Sequence, residues 1–516
     1  MKAALRTFQS GWREVLVATV AGFVLFFNVA APPVALTDEA RVALNALEMM
    51  SSSNPLVVTY AGDPDLWNPK PPLAVWLSAL SMKLLGVNEI ALRLPHVLAA
   101  VATVVAVFAF TRRVSRSSGA GVVAAAALLG TTGYVETHVA RTADYDTLLV
   151  LFLTLTSFQL FRASEDPSRA ARHIWLSATF MACALFTKSV AALLITPGYA
   201  LYLFVSRDMR KLLARRESWQ AAAAVVAAAT VFLTARELAH PGYLRAVWDI
   251  DIGGRFFSDA SPHGATWSYY LSGLFEPWLG VLTRPLPIWV LMISAFPWSW
   301  TAVLLLPATL FARRPEVTRA SLFLLCCLAG LLLAISTAAT KFEWYAAPSY
   351  PLLATLTGLG ASALAGHLHE SRLAALQLAG RLTIPVAIAA GFLLVLLTVW
   401  KTERQYASAP YYPDRRLPLF VRQVSPNIPQ QARVRVLSTE PWTVPRLVDG
   451  HETLVLYDGA TEFYVRQLKR RGIDAELVFR AYEPKSGEWL IGCGPMQPYA
   501  ALRQVVTQGD CKILVR

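Results

Sequence analysis

Charge is scarce in this chain. Only 16% of its 516 residues are Asp, Glu, Lys or Arg, while 55% are hydrophobic, too little polarity for an ordinary soluble protein of that length. Cysteine is scarce as well. The five cysteines show no C-x-x-C or Cys/His spacing, and Cys183, Cys326 and Cys327 lie in apolar runs, so a thiolate metal site has no basis. No Walker loop, dinucleotide glycine pattern, Ser-His-Asp arrangement or internal repeat occurs, which leaves ATPase, dehydrogenase and hydrolase readings unsupported.

What the sequence does have is a series of uninterrupted apolar runs, which excludes disordered and collagen-like chains. The net charge of +13, from 47 Lys+Arg and 34 Asp+Glu, fits cations gathered on one side of a membrane better than a nucleic-acid surface. Candidate spans fall near 14–34, 96–111, 118–135, 145–161, 173–187, 189–205, 218–237, 286–310, 320–338, 345–365 and 383–400. The expected fold is therefore an α-helical polytopic membrane protein with about eleven spans, and up to about thirteen. The first run is read as a span and not a cleaved leader, because it is long enough to cross.

Basic residues set the expected orientation. Lys2, Arg6 and Arg13 precede the first span; Arg112, Arg113 and Arg116 follow the second; Arg162, Arg169 and Arg172 the fourth; Arg207, Arg210, Lys211, Arg215 and Arg216 the sixth; Arg313, Arg314 and Arg319 the eighth. The alternate short loops hold only Arg141, Lys188 or Lys341. That alternation predicts a cytoplasmic N-terminus and a C-terminal region outside the cytoplasm.

Two domains are expected: a transmembrane part over 1–400, with long outer loops at 35–95 and 238–285, and an α/β domain over 401–516. The first outer loop reads as two surface helices, one capped by Thr37 and one starting at Pro71-Pro72 and stopping at Gly86. The tail alternates strand-like runs, such as RVRVLS at 433–438 and TLVLYD at 453–458, with amphipathic stretches. Its only cysteines, Cys493 and Cys511, lie in or beside neighbouring expected strands and are a disulfide candidate in an oxidising compartment.

Five places keep polar residues where a bilayer resists them unless they have a use. In Thr37-Asp38-Glu39-Ala40-Arg41, Asp38 and Arg41 are three apart on one helix face, so the carboxylate is either oriented by the guanidinium or only complements the helix dipole. Lys70 stands just before the proline-started helix, placed either to bind phosphate or to snorkel. Arg141, Asp144 and Asp146 crowd the mouth of the fourth span, as a site element or a local ion pair. Arg255 and His263 lie in the aromatic second loop, and Lys341 and Tyr345 head the span that Pro348 and Pro351 enter. Several cations facing one compartment beside isolated carboxylates suit a lipid-linked phosphate.

At these residues the chain resembles the GT-C integral-membrane glycosyltransferases, in the protein O-mannosyltransferase-like group that includes the bacterial lipid A aminoarabinose transferase. The resemblance covers roughly residues 10–360. Asp38 matches the acidic residue after the first span, Lys70 to Leu73 the KPPL stretch, Arg141 and Asp146 the head of the fourth span. Thr187-Lys188-Ser189 matches the TKG turn, Arg255-Phe256 with His263-Gly264 the RF…H-G loop, and Lys341, Tyr345, Pro348 and Pro351 the K…Y…P…P element. Two positions depart from the pattern: Asn68 and Pro69 stand where an acidic residue usually precedes the KPP lysine, and Ser189 replaces the glycine.

The resemblance implies an inverting glycosyltransferase of the bacterial inner membrane. It would move a sugar from a polyprenyl-phosphate donor to a lipid A, glycan or protein acceptor on the outer face. Lys70, Arg255, Lys341 and Tyr345 would bind the donor phosphate, and Asp38, Arg41 and Asp146 would carry catalysis. Glu39, Arg141, Asp144 and His263 would contact substrates. Membrane lipids are partners and nucleic acid is not. The sequence requires no cofactor and leaves a divalent metal open. A flippase of lipid-linked glycans is the second reading, but the conspicuous polar residues lie in outer loops and not in paired broken spans.

Overall fold

The computed structural model describes residues 2–34, 37–135, 138–258, 266–271, 299–407, 413–439, 441–448, 451–479, 482–494, 496, 499 and 501–516. Among the described residues, seven helical stretches are long and apolar enough to cross a membrane: Glu89–Ser115, Tyr145–Glu165, Ala170–Val205, Arg216–Ala239, Pro315–Thr337, Ser349–His369 and Ala374–Arg404. The chain is thus a mostly helical, multi-pass membrane protein.

The expected spans at 173–187 and 189–205 both fall in the stretch 170–205, which a 3-10 segment at Ser189–Ile195 interrupts. The expected span at 118–135 is shorter than anticipated. Its helix, Ser118–Leu129, starts where the Ser117 side chain accepts from the Ala120 N–H and stops at Gly130. Most of the expected span at 286–310 lies outside the described residues.

The structure divides into two compact units, one cut falling at 402/403, near the boundary expected at 400, with most of the first outer loop joined to the C-terminal part. The first unit holds residues 1–27, 69–73 and 96–402; the second holds 28–68, 74–95 and 403–516. In the first, the Tyr145–Glu165 helix is buried along most of its length, as expected of a helix apolar all round. Helices at 196–205 and 315–337 approach through Gly198 and Gly330. A Cβ on Gly330 would lie 2.1 Å from the Gly198 nitrogen and one on Gly198 2.4 Å from the Cys327 Cα, so only glycine admits this contact.

The second unit has strands β1 (Arg433–Ser438), β2 (Trp442–Val448), β3 (His451–Tyr457), β4 (Asp474–Phe479), β5 (Glu488–Cys493), β6 (Arg503–Gln508) and β7 (Cys511–Val515). It is built on a five-stranded sheet of order β4-β1-β5-β7-β6, in which β1 runs parallel to β4 and β5, and β7 antiparallel to β5 and β6. Cys493 and Cys511 are register partners across β5 and β7 and are joined in a disulfide. A separate ribbon pairs β2 with β3.

Apart from residues 69–73, the first outer loop belongs to this unit. Residues 39–47 of the helix Thr37–Met49 are all buried, and that helix packs on the helix Gly459–Arg470, where a position on the lipid surface was expected. Polar bonds secure the packing: Tyr464 Oη donates to Glu89 at 2.7 Å and accepts from the Val34 N–H at 2.8 Å, Tyr60 Oη donates to Glu462 at 2.8 Å, and Arg466 reaches Glu48 at 2.7 Å. The helix Leu73–Leu85 instead keeps Leu80, Leu84 and Leu85 more than half exposed.

Candidate functional site: a cationic cavity in the first unit

Six chain segments of the first unit converge on one cavity. Lys70, Asp146, Lys188, Asp251, Arg255 and Tyr345 supply its polar lining, and Leu149, Val190, Leu194, Phe256, Leu331 and Ile335 are among its apolar walls. Three cations stand against two carboxylates, an excess of one positive charge. Such a lining holds an anion attached to an apolar chain.

Each side chain is placed by its local fold. Asp144 caps the helix Tyr145–Glu165 by accepting from the Tyr145 N–H at 2.6 Å, which sets Asp146 in the first turn. Lys188 ends the helix Ala170–Lys188, and its Nζ lies 2.5 Å from Asp146 and 5.3 Å from the Tyr345 ring centre. The backbone before Lys70 is pinned by Tyr243, whose hydroxyl donates to the Pro69 carbonyl at 2.9 Å, and the Lys70 ammonium sits 5.0 Å over the Tyr145 ring.

Arg255 comes from a π-helix, Val247–Phe257. Its wide turn brings Asp251 and Arg255 to one side, with Nε 3.7 Å from Oδ1. Arg255 also donates to Tyr345 Oη at 2.6 Å, and the Thr340 N–H donates back to the Arg255 carbonyl at 3.0 Å. Burial pushes the Tyr345 hydroxyl above the ordinary tyrosine range, opposed by the charges of Arg255 and Lys188.

A second polar group lies behind the cavity. Although burial alone would raise its pKa, the bond and charge of His138 hold Asp144 down at about 2. His138 Nδ1 lies 2.9 Å from the Asp144 carboxylate, and its ring stacks on Trp344 at 3.8 Å. His96 Nδ1 meets the Asp144 carbonyl at 2.9 Å. Asp144 thus supports Asp146 from outside the cavity.

Of the residues singled out from sequence, Lys70, Asp146, Arg255 and Tyr345 meet here. Lys341 does not: it is buried and donates to the Ala338 carbonyl at 2.7 Å. Arg141 donates to the Phe27 carbonyl. In the second unit, Arg41 is not the partner of Asp38. It grips Asp65 through two bonds of 2.6 and 2.7 Å, with Tyr60 3.8 Å beneath its guanidinium. Glu39 is held by Arg93 at 2.6 and 2.8 Å. Asp38 is half-buried in the first turn of Thr37–Met49, and His263 lies outside the described residues.

Sequence reasoning matched Thr187-Lys188-Ser189 to the TKG turn but gave Lys188 no role in the site, and it gave none to Asp251 or His138. A lysine between two apolar runs on the face where basic residues are few was the available signal for Lys188. For His138 there was none.

The protein-family model described as dolichyl-phosphate-mannose-protein mannosyltransferase matches residues 69–234, and so takes in Lys70, Asp146 and Lys188. The undecaprenyl phosphate-alpha-4-amino-4-deoxy-L-arabinose arabinosyl transferase of Edwardsiella ictaluri is 29% identical over 284 residues, 53% of this chain and 49% of the relative. Its namesake from Shewanella sediminis is 26% identical over 247 residues, 47% of this chain and 44% of the relative. The match thus spans about half the length of these curated relatives. The crystal structure of ArnT from Cupriavidus metallidurans bound to undecaprenyl phosphate superposes with a TM-score of 0.67 at 15% identity, over 98% of both chains. The fold is shared, and the chain is similar to the GT-C transferases.

Proposed function

We propose that the protein is an inverting glycosyltransferase that takes a sugar from a polyprenyl-phosphate donor and passes it to a lipid A, glycan or protein acceptor outside the cytoplasm. The observation that carries this reading is the cavity in which Lys70, Lys188 and Arg255 stand over apolar walls. A lipid-linked phosphate needs both features, and the family model described as dolichyl-phosphate-mannose-protein mannosyltransferase takes in Lys70 and Lys188.

In this reading the isoprenoid lies along Leu194, Leu331 and Ile335, and the phosphate faces the cations. The acceptor oxygen attacks the anomeric carbon opposite the phosphate and loses its proton to a base. The C1–O electron pair leaves with the polyprenyl phosphate. Negative charge grows on that phosphate as the bond breaks, so each fixed cation contributes roughly 2 to 4 kcal/mol by analogy with oxyanion donors. Asp146 keeps Lys188 oriented, and Asp38 is the candidate base. The protein sits in the inner membrane with its N-terminus cytoplasmic and its second unit outside.

With purified protein, an undecaprenyl-phosphate sugar and a lipid A acceptor, mass spectrometry should detect a new glycosidic bond. Lys70→Ala and Arg255→Ala should each weaken donor binding and slow transfer by about 10² to 10³. Product formation also separates this reading from a flippase, which moves the donor and joins nothing. Unchanged donor affinity and rate in both variants would discard the phosphate clamp.

A further inference from the structure

A second cavity of about 360 Å³ lies in the first unit, far in sequence from Lys70, Arg255 and Tyr345. Leu160, Ile174, Ser177, Met181, Leu203 and Ser218 are among its lining residues. Ile174, Ser177 and Met181 fall at helical spacing, so one face of the helix Ala170–Lys188 forms a wall. Directly beside that wall, Arg172 and His173 open the helix, and Arg162 stands two residues beyond Leu160. Arg113, Arg169 and Arg172 are charged neighbours of Arg162.

This basic cluster is more than a solvated face of the kind membrane topology always supplies. Arg162 Nε is buried with no hydrogen-bond partner. His173 is 2% exposed and only orients the cluster: its Nδ1–H donates to Gln159 Oε1 at 2.7 Å, which leaves Nε2 an acceptor. The Ser218 hydroxyl, on the cavity wall, is likewise buried and unpartnered. Of the nearby acids, Glu165 binds Arg319 at 2.6 Å, while Asp166, which accepts from Ser168 at 2.5 Å, offsets one charge of the four-arginine cluster and leaves it positive. The helix Ala170–Lys188 begins at Arg169 with no side-chain cap, so its first N–H groups also favour an anion. Buried donors without acceptors carry an energetic cost that a bound ligand removes.

We propose that Arg162 and Arg172 bind the phosphodiester headgroup of an anionic phospholipid, one acyl chain of which occupies the cavity lined by Leu160, Ile174 and Met181, with Ser218 hydrogen-bonded to its ester region. The site is distinct from the cavity at Lys188 and does not rest on the glycosyl-transfer reading. It makes the protein's stability dependent on the acidic lipid of the surrounding leaflet.

The test titrates delipidated full-length protein in detergent with dioleoyl-phosphatidylglycerol, dioleoyl-phosphatidylethanolamine and inorganic phosphate, with native mass spectrometry and thermal shift as readouts. Phosphatidylglycerol should bind at least about 10-fold more tightly than phosphatidylethanolamine. Arg162→Gln with Arg172→Gln should abolish that preference. Ala178→Phe, which fills the cavity and leaves the cations in place, should abolish lipid retention. Equal binding of the two lipids, wild-type preference in both variants, or equal thermal shift with inorganic phosphate would each overturn the lipid site, the last by assigning the cluster to soluble phosphate.

Discussion

Ser189 has φ +48° and ψ −135°, a backbone region that side chains avoid. It follows Lys188 directly, so the strained turn aims the ammonium at Asp146 while the chain passes into the 3-10 segment. The TKG turn that this stretch resembles has glycine there. Ser189→Gly should therefore relieve strain and stabilise the protein by up to about 1 kcal/mol. A rise of a few degrees in Tm in detergent would register it; a fall would mean that the serine side chain holds the turn.

Asp144 makes a pH prediction whose sign follows from its depressed pKa of about 2. A carboxylate held below its unfolded value near 3.9 contributes its stability fully above that value. The contribution disappears as pH falls from about 4 to about 2 and is on the order of 2 kcal/mol. Thermal melts across that window should show the loss in the wild type. In Asp144→Asn, stability should already be lower at pH 7 and the acid decline shallower, and identical profiles would discount the His138 bond.

At the scale of elements, the π-helix Val247–Phe257 is the piece that regular periodicity does not describe. Its wide turn leaves a Cβ on Gly254 only 2.7 Å from the Asp249 carbonyl oxygen. Gly254→Ala must shift that backbone, and Arg255 is the next residue. The expected result is a loss of about 10-fold or more in donor affinity, with Tm lowered only modestly. Isothermal titration with a polyprenyl phosphate measures it. Full affinity would indicate that Arg255 tolerates displacement.

The surface helices differ in fate for a physical reason. Thr37–Met49 carries Glu39, Arg41 and Asn45, and each finds a buried partner within the second unit; Leu73–Leu85 presents leucines with no such bonds to make. Polar residues at helical spacing were therefore the mark of protein packing and not of a headgroup-facing side.

For the whole molecule, basic short loops alternate with loops that carry one cation or none. A periplasm-dependent reporter fused after Arg516 is expected to be active and a cytoplasm-dependent one silent. The reverse result would place the Cys493–Cys511 disulfide in a reducing compartment and remove the proposed outer site with it. Activity of the periplasm-dependent reporter would place residues 403–516 of the second unit outside the cytoplasm.

By itself, the sequence determined the solvent this chain lives in and the order of its polar motifs. Both are local properties, written in run length and in residues a few positions apart. It marked Lys70, Asp146, Arg255 and Tyr345, and the pair Cys493 and Cys511, because each breaks the composition around it. Tertiary structure decided which of these meet. Lys188 finds Asp146 at a separation of 42 residues, Arg255 finds Tyr345 at 90, and Arg41 takes Asp65 at 24 instead of Asp38 three positions away. A buried charge takes the partner that satisfies most of its hydrogen bonds, and that geometry exists only once distant segments have packed.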